Sequence, residues 1–269
     1  MVGGGPAGLE AARVAAARGH RVTLVERRER LGGQWWYAAR QPSRDKVAEH
    51  LRWYETQLEK LQVEVRLGSE LDAAAIAELR ADAVVLATGG RPSRRGFQRA
   101  LPQHDALPGA DAENVTTIYE ALEGTAALGA RVLLLDEMNN WRGLGTAVHL
   151  AEAGQEVTVA TAAPMLAKGL EASAADAALR RRFAKAGGRG LVETALLSWS
   201  AAGAARFRSL LDGREWEESF DSLVLCTLPD PETALQDALA GSGLELHAIG
   251  DCVAPRRAGG HHLHPDRAS

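Results

Sequence analysis

The sequence predicts an α/β fold containing two βαβ units of similar pattern, and three observations carry that reading. A glycine turn, Gly3-Gly4-Gly5-Pro6-Ala7-Gly8, opens an Ala-rich stretch that stops at Gly19 and is followed by an apolar run over 21–25. A second strand–helix–strand pattern occupies 131–160. Short apolar runs at 83–87, 223–226 and 247–249 complete the pattern, each read as a strand.

Taken in order, Leu9 to Arg18 is a helix of good helix formers, with Gly19 as its natural stop. Residues 21–25 form a buried strand that ends at Glu26. Val47, Leu51, Tyr54, Leu58 and Leu61 recur at helical spacing over 45–61, and Val63 to Leu67 alternates as a short strand. Residues 71–80 read as helical, and 83–90 as a buried strand leading into a glycine turn. The stretch 91–114, rich in Pro, Gly and Asp, is the expected hinge between domains. The second unit runs as strand 131–136, helix 144–153, a stop at Gly154 and strand 156–160. The basic helix over 172–187, with Arg180, Arg181, Arg182 and Lys185, reads as a solvated face. Several short strands with a turn at Gly213 occupy 191–225, and 247–251 is the last strand and turn.

Composition narrows the class. The 269 residues are 46% hydrophobic and 25% charged, which excludes disorder, collagen and a disulfide scaffold. A net charge of −4, with Arg residues alternating with acids, leaves no nucleic-acid footprint. No run approaches the ~20 apolar residues of a membrane span. No basic and apolar leader precedes the glycine turn, so the expected location is the cytoplasm. Cys226 and Cys252 make no CxxC pair, and two thiols are too few for a four-thiolate iron–sulfur cluster.

Gly3, Gly5 and Gly8 form a GxGxxG loop that opens a helix, and the next strand ends in Glu26, 18 residues after Gly8. That context is the dinucleotide-binding fingerprint. Gly3 permits the tight turn, Gly5 lets a pyrophosphate approach the backbone, and Gly8 lets the helix pack close to the sheet. The helix N-terminus offers N–H groups and partial positive charge to phosphates. Glu26 is placed to accept hydrogen bonds from ribose hydroxyls. One feature is abnormal: only Met1 and Val2 precede Gly3, where a central strand normally needs about five residues. The expectation is a truncated N-terminus or a strand supplied by a partner segment.

After Glu26 come Leu31-Gly32-Gly33-Gln34, then Ala87-Thr88-Gly89-Gly90, and finally Ile249-Gly250-Asp251. These elements in this order resemble the two-dinucleotide-domain flavoproteins. Within them, the Leu31–Gln34 run and the stretch from Tyr119 to Gly124 resemble the C-terminal half of the trimethylamine dehydrogenase, histamine dehydrogenase and 2,4-dienoyl-CoA reductase family. The resemblance covers nearly all of the chain. It implies a Rossmann-like FAD-binding domain over 1–112 and 221–269, with an NAD(P)-binding-like αβ domain inserted at 113–220.

By that resemblance, Gly3, Gly5, Pro6, Ala7, Gly8 and Glu26 hold the adenosine diphosphate half of FAD. Gly32, Gly33 and Gln34 touch its ribose and pyrophosphate, Thr88 and Gly89 line the cofactor, and Gly250 and Asp251 lie beside the ribityl chain. ADP in place of FAD stays open, because trimethylamine dehydrogenase carries ADP in that site. The family's complete chains add a barrel with FMN and a four-iron cluster. The expected partner is therefore such a barrel, as domain or subunit, with an electron-transfer partner. The implied function is an FAD-dependent oxidoreductase module passing electrons within an amine dehydrogenase or flavin reductase. The alternative is a non-catalytic nucleotide-binding domain or a fragment.

The sequence departs from the family in two places. The second turn, from Asp136 to Gly145, is several residues too long and puts Asp136 and Glu137 where a pyrophosphate would sit. Thr161 follows the next strand, with neither an acid for an NAD ribose nor an Arg for an NADP phosphate. NAD(P) is therefore doubtful. At the C-terminus, Gly259, Gly260 and Pro265 interrupt any closing helix. His261, His262 and His264 read as a tail rather than as metal ligands. Cys252 reads as a packed small residue, and Trp35, Trp36 and Tyr37 either stack on a ring or pack internally. No catalytic residue is assignable, since no general base is apparent.

Overall fold

The glycine loop hangs from a sheet whose central strand is a single bridging residue. In the computed structural model of the chain, which describes residues 1–255, Val2 bridges in parallel to Val25 on one side and to Leu86 on the other. Its N–H donates to Val85 O, and its carbonyl accepts from Ala87 N–H, both at 2.8 Å. On the opposite side, Met1 O accepts from Val25 N–H at 2.9 Å and Gly3 N–H donates to Val25 O at 2.8 Å. Two residues thus do the pairing expected of about five.

Around Val2 the first unit forms one parallel sheet. Its order is β2 (Glu64–Arg66), β1 (Thr23–Val25), Val2, β3 (Ala83–Leu86) and β14 (Glu245–Ala248). Helix α1 (Pro6–Ala17) follows the glycine turn, buries Leu9 and Ala12, and ends at Arg18 before Gly19 at φ +92°. Helix α4 (Ala73–Glu78) starts at Asp72, whose carboxylate accepts from Ala75 N–H at 2.8 Å. Ile76 from it packs with Val84, Leu86 and Leu239, the last just beyond α8 (Ala234–Ala238). After Arg91 the chain leaves this unit, and at Asp230 it returns, through a short antiparallel pair, β4 (Gly90–Arg91) with β13 (Asp230–Pro231).

The second unit has a five-stranded parallel sheet. Its order is β5 (Val115–Thr117), β12 (Ser222–Cys226), β6 (Arg131–Asp136), β7 (Glu156–Ala160) and β8 (Arg189–Leu191). Strand β6 shows why it is central. Val132 and Leu134 enter one core, Leu133 and Leu135 the other, and all four are fully buried. The first core is covered by α5 (Ile118–Glu123), α6 (Thr146–Glu152) and α7 (Ala175–Lys185), through residues such as Ile118, Val148 and Phe183. The other is covered by an antiparallel sheet of β9 (Thr194–Trp199), β10 (Ala204–Ser209) and β11 (Glu215–Ser219), through Leu196, Phe207 and Phe220. On α7, Arg180 pairs with Asp176 and Arg182 with Glu152. No helix of the described residues is long and apolar enough to cross a membrane.

The compact units divide differently from the boundaries 112/113 and 220/221 read from the sequence. One comprises Met1–Leu31, Leu58–Arg91 and the described residues from Asp230; the other comprises Gly32–Gln57 and Pro92–Pro229. The second therefore includes α2 (Gln34–Ala39) and most of α3 (Asp45–Lys60). It also holds the expected hinge loop, which is packed rather than free. Leu101, Leu107 and Ala110 are buried. Gln98 completes the edge of β9 like a strand residue: its Nε2 donates to Leu196 O at 2.7 Å, and its Oε1 accepts from Leu196 N–H at 2.9 Å. Gln98→Ala removes both bonds and leaves two buried backbone groups without partners. It is expected to destabilise the second unit by about 2–4 kcal/mol, read as a lower midpoint in chemical denaturation.

Candidate functional site

The parallel sheet of the first unit brings four chain segments to one edge. Gly3 follows Val2, Glu26 follows β1, Thr88 and Gly89 follow β3, and Gly250 and Asp251 follow β14. Because these strands run parallel, all four segments leave at the C-terminal edge, where open α/β sheets bind ligands. Gly32, Gly33 and Gln34 belong to the other compact unit. There Gly32 has φ +109° and lies against Leu51, while Gly33 caps α2 and Gln34 begins it.

Within the loop, each glycine has a different reason. Gly3 has φ +106°, and a Cβ on it would lie 2.3 Å from Ala87 O. A Cβ on Gly8 would lie 1.9 Å from Gly3 O, so the helix approaches the turn as closely as glycine allows. Gly5, the N-cap of α1, has an ordinary extended backbone at φ −77°. Local conformation therefore makes no demand for glycine at position 5. Pro6 sits in the first turn, where its missing N–H costs nothing. No side chain caps this helix and no acid lies in its first turn, so its N-terminal positive field remains available to an anion.

Glu26 is buried to 7% exposure and clamped by backbone. Its Oε2 accepts from Gly4 N–H at 2.6 Å and its Oε1 from Arg28 N–H at 2.9 Å. Each oxygen keeps a further lone pair, so the carboxylate is aimed at the loop with acceptor capacity left. Thr88 Oγ1 donates to Glu232 O at 2.8 Å, which ties the segment after β3 to the returning chain. Gly89, at φ +78°, has nothing within 4 Å of where a Cβ would stand. Gly250, at φ +74°, has open contact only with Ala7, whose Cβ would stand 2.8 Å from an added Cβ. The Gly250–Asp251 turn thus abuts the first turn of α1. Cys252 is buried and its thiol points at Leu86 O and Ile249 O, at 3.4 and 3.0 Å.

The second turn bonds its own acid through one carboxylate oxygen. Asp136 is fully buried at the end of β6, and its Oδ1 accepts from Met138 N–H at 3.0 Å and Asn139 N–H at 2.8 Å. Asn139, at φ +51°, accepts through Oδ1 from Thr161 Oγ1 at 3.0 Å. The extra length of the turn is taken up by a π-helical segment, Trp141–Gly145, before α6. Gly143 faces the Asp136 carboxylate so closely that a Cβ would lie 2.2 Å from its carboxyl carbon. Glu137 is also buried and pairs with Arg99 at 3.3 Å. The sequence shows two acids in this turn; it does not show that one of them consumes the backbone N–H groups of the turn.

Trp35 packs on His50 and Tyr54. Tyr37 meets Trp36 and Tyr119 edge-on and donates its hydroxyl to Glu123 at 2.6 Å. These rings are engaged within the second unit. Among the described residues no three His, Cys, Asp or Glu side chains gather as metal ligands. His261, His262 and His264, with Gly259, Gly260 and Pro265, lie outside the described residues.

Residues 1–128 match the model of the pyridine nucleotide-disulphide oxidoreductase family. The chain is similar to one part of larger amine dehydrogenase, amine oxidase and NADH oxidase flavoenzymes. It is 43% identical to N,N-dimethylglycine/sarcosine dehydrogenase of Chromohalobacter salexigens over 161 residues, covering 60% of this chain and 23% of the relative. It is 33% identical to NADH oxidase of Thermoanaerobacter brockii over 261 residues, covering 93% of this chain and 37% of the relative. The solved 6-hydroxypseudooxynicotine amine oxidase from Pseudomonas geniculata N1 superposes with a TM-score of 0.87 at 31% identity, covering 95% of this chain and 39% of that one. The chain therefore spans less than half the length of these flavoenzyme relatives.

Burial pushes the Asp136 carboxyl up to about 6, and the neighbouring Glu137 charge adds to the rise; the Asn139 and Met138 N–H groups oppose it. An acid whose pKa is higher folded than unfolded weakens the fold once it ionises. The cost is absent below the unfolded value of 3.8 and complete above about 6. Asp136→Asn keeps the Oδ1 acceptor and removes the charge. It is expected to stabilise the chain by on the order of 2–3 kcal/mol at pH 7 and by little at pH 4. Urea midpoints measured at both pH values check this, and equal gains at both would contradict it.

Proposed function

We propose that this chain is an FAD-dependent oxidoreductase module that passes electrons within an amine dehydrogenase or flavin reductase system. The observation that carries the reading is the gathering of the glycine loop, Glu26, Thr88–Gly89 and Gly250–Asp251 on one sheet edge, around an uncapped 12-residue helix. The fit to a dinucleotide is tested by the cradle itself. The open space at Gly89, the acid-free first turn of α1 and the spare acceptor capacity of Glu26 all suit a pyrophosphate and a ribose. Bound FAD supplies a flavin that accepts and donates electrons.

The chain's own residues bind and orient. The α1 N-terminus holds pyrophosphate oxygens, Gly5 allows them to reach the backbone, and Glu26 accepts from adenosine ribose hydroxyls. Asp251 accepts from a ribityl hydroxyl, and Thr88 and Gly89 line the same edge. Proton-transfer chemistry on a substrate lies elsewhere, on a barrel domain or subunit carrying FMN and an iron–sulfur cluster. A second reading, ADP held as a structural nucleotide, is favoured by the turn at Asp136, whose carboxylate already takes the Met138 and Asn139 N–H groups and so withholds them from a pyridine nucleotide donor.

The visible spectrum of the purified protein separates the two, since bound FAD shows flavin bands and ADP none. Gly5→Val fits the backbone at that position and is expected to lose the bound nucleotide while keeping the fold by circular dichroism. Retention of as much nucleotide as in the parent would refute the site. NADH and NADPH are expected to show no saturable binding tighter than about millimolar, near −4 kcal/mol; micromolar binding of either would refute the reading of the second turn. Anaerobic assay of the FAD-loaded chain with an amine and a dye acceptor is expected to show no substrate-dependent dye reduction.

A further inference from the structure

The head of the second turn sets a buried acid beside a buried thiol. Asp136 ends β6 and Cys226 ends β12, and the two are paired residues on adjacent parallel strands. Residues in that register project to the same face of the sheet. Alternation along β6 puts Asp136 on the face of Val132 and Leu134, whose core also holds Met138, Leu144 and Cys226. The carboxylate thus opens into apolar packing. Its Oδ1 takes two backbone N–H groups, while its Oδ2 is shut off from water and has no hydrogen-bond partner. A carboxylate satisfied on one side only is costly to keep charged in such a core.

The groups around the pair do little to hold a negative charge there. The same turn brings Glu137, a second buried acid, whose own partner is Arg99 at 3.3 Å. From β12 comes the Cys226 thiol, which burial and then the Asp136 charge push up. From the π-helical segment comes Arg142, whose charge reaches Cys226. The residue after β7, Thr161, is neutral and bonds Asn139. The cover over the pair is a weak element. It runs through Asn139 at φ +51° and the π-helical Trp141–Gly145, which contains Gly143 and Gly145. A π-turn with two glycines rearranges at less cost than an α-helix does. Met138 and Leu144, which pack in the core of Cys226, both belong to this segment.

We propose that residues 137–145 form a proton-operated gate over Cys226: a neutral Asp136 keeps it shut, and an ionised Asp136 favours a lifted form that opens the thiol to a disulfide reagent. In the lifted form the carboxylate reaches water. The thiol gives its proton to solvent, and its sulfur displaces one half of the disulfide as a thiolate, leaving a mixed disulfide on Cys226. The shut acid titrates at about 6 and the lifted acid at its ordinary 3.8. The lifted population therefore rises with pH between those values, by on the order of a hundredfold, and levels off above them. The gate stands whether or not the glycine loop holds a nucleotide.

The test uses the full chain carrying Cys252→Ser, so that Cys226 is the thiol read, with dithiodipyridine as the reagent. Labelling rates are compared with and without Asp136→Asn, which keeps the Oδ1 acceptor and stays neutral at every pH. Their ratio cancels the thiol's own ionisation. It is expected to rise on the order of a hundredfold from pH 4 to pH 7. Because the gate opens locally, the rate is expected to stay level in urea below the unfolding transition. Gly143→Ala, whose Cβ would lie 2.2 Å from the Asp136 carboxyl carbon, is expected to raise labelling at pH 4 by about tenfold or more. Circular dichroism reports the fold of each variant. If Asp136→Asn does not fold, amide exchange of Met138 and Asn139 in the parent decides, after division by the intrinsic rate. It is expected to quicken by the same factor over the same pH range. The proposal is overturned if the labelling ratio, or in its place the amide exchange, stays level from pH 4 to pH 7. It is equally overturned if Cys226 labelling climbs with urea in step with global unfolding.

Discussion

Everything in the first unit depends on Val2 pairing with two strands at once. A parallel sheet closes only if each inner strand offers hydrogen bonds on both edges, and here two residues do so. With Val2 in place, β1 and β3 are held on either side and their C-terminal ends are brought level with Gly3. The glycine loop, Glu26 and the Thr88–Gly89 turn then share one edge, because parallel strands cannot deliver their ends anywhere else. This rests on the register in which Gly3 N–H reaches Val25 O and Ala87 N–H reaches Val2 O.

The two βαβ units share a pattern but use it in opposite ways. In the first, the turn before the helix is short, glycine-rich and free of side-chain caps, and its acid, Glu26, comes from the next strand and leaves the α1 N-terminus uncapped. In the second, the acid stands at the head of the turn itself. Asp136 Oδ1 takes the N–H groups of Met138 and Asn139, and the π-helical segment closes the turn around the carboxylate. An internal carboxylate does there what a bound phosphate does in a nucleotide-binding turn. The burial that raises the Asp136 pKa follows from the same closure.

Some of this was legible residue by residue. The strands 131–136 and 156–160 appear at the expected bounds, since a run of Val and Leu bounded by turn residues has few other ways to bury itself. Helix α3 matches its spaced apolar positions. Helix α2 was not visible, because three consecutive aromatics at Trp35, Trp36 and Tyr37 carry no helical period, and its six residues are stabilised by ring contacts to Tyr54 and Tyr119. Loop 91–114 read as a hinge because Pro, Gly and Asp mark turns. Turn residues do not reveal that Gln98 pairs with Leu196, nearly a hundred positions away.

The sequence by itself determined the fold class, the glycine loop with its acid at Glu26, and the acids that set the second turn apart. Those are local facts: a turn that only glycine permits, a periodicity, and a charge in a named position. The tertiary structure decided which of these groups are used and by what. It showed that Val2 bridges β1 and β3 and that Gly250 meets Ala7. It also showed that Asp136 Oδ1 is bonded to its own backbone and that Gln98 pairs with Leu196. The physical reason is common to all four. A hydrogen-bond donor or a charge is satisfied by whatever the fold brings within about 3 Å of it, and that partner is set by long-range pairing and packing rather than by neighbours along the chain.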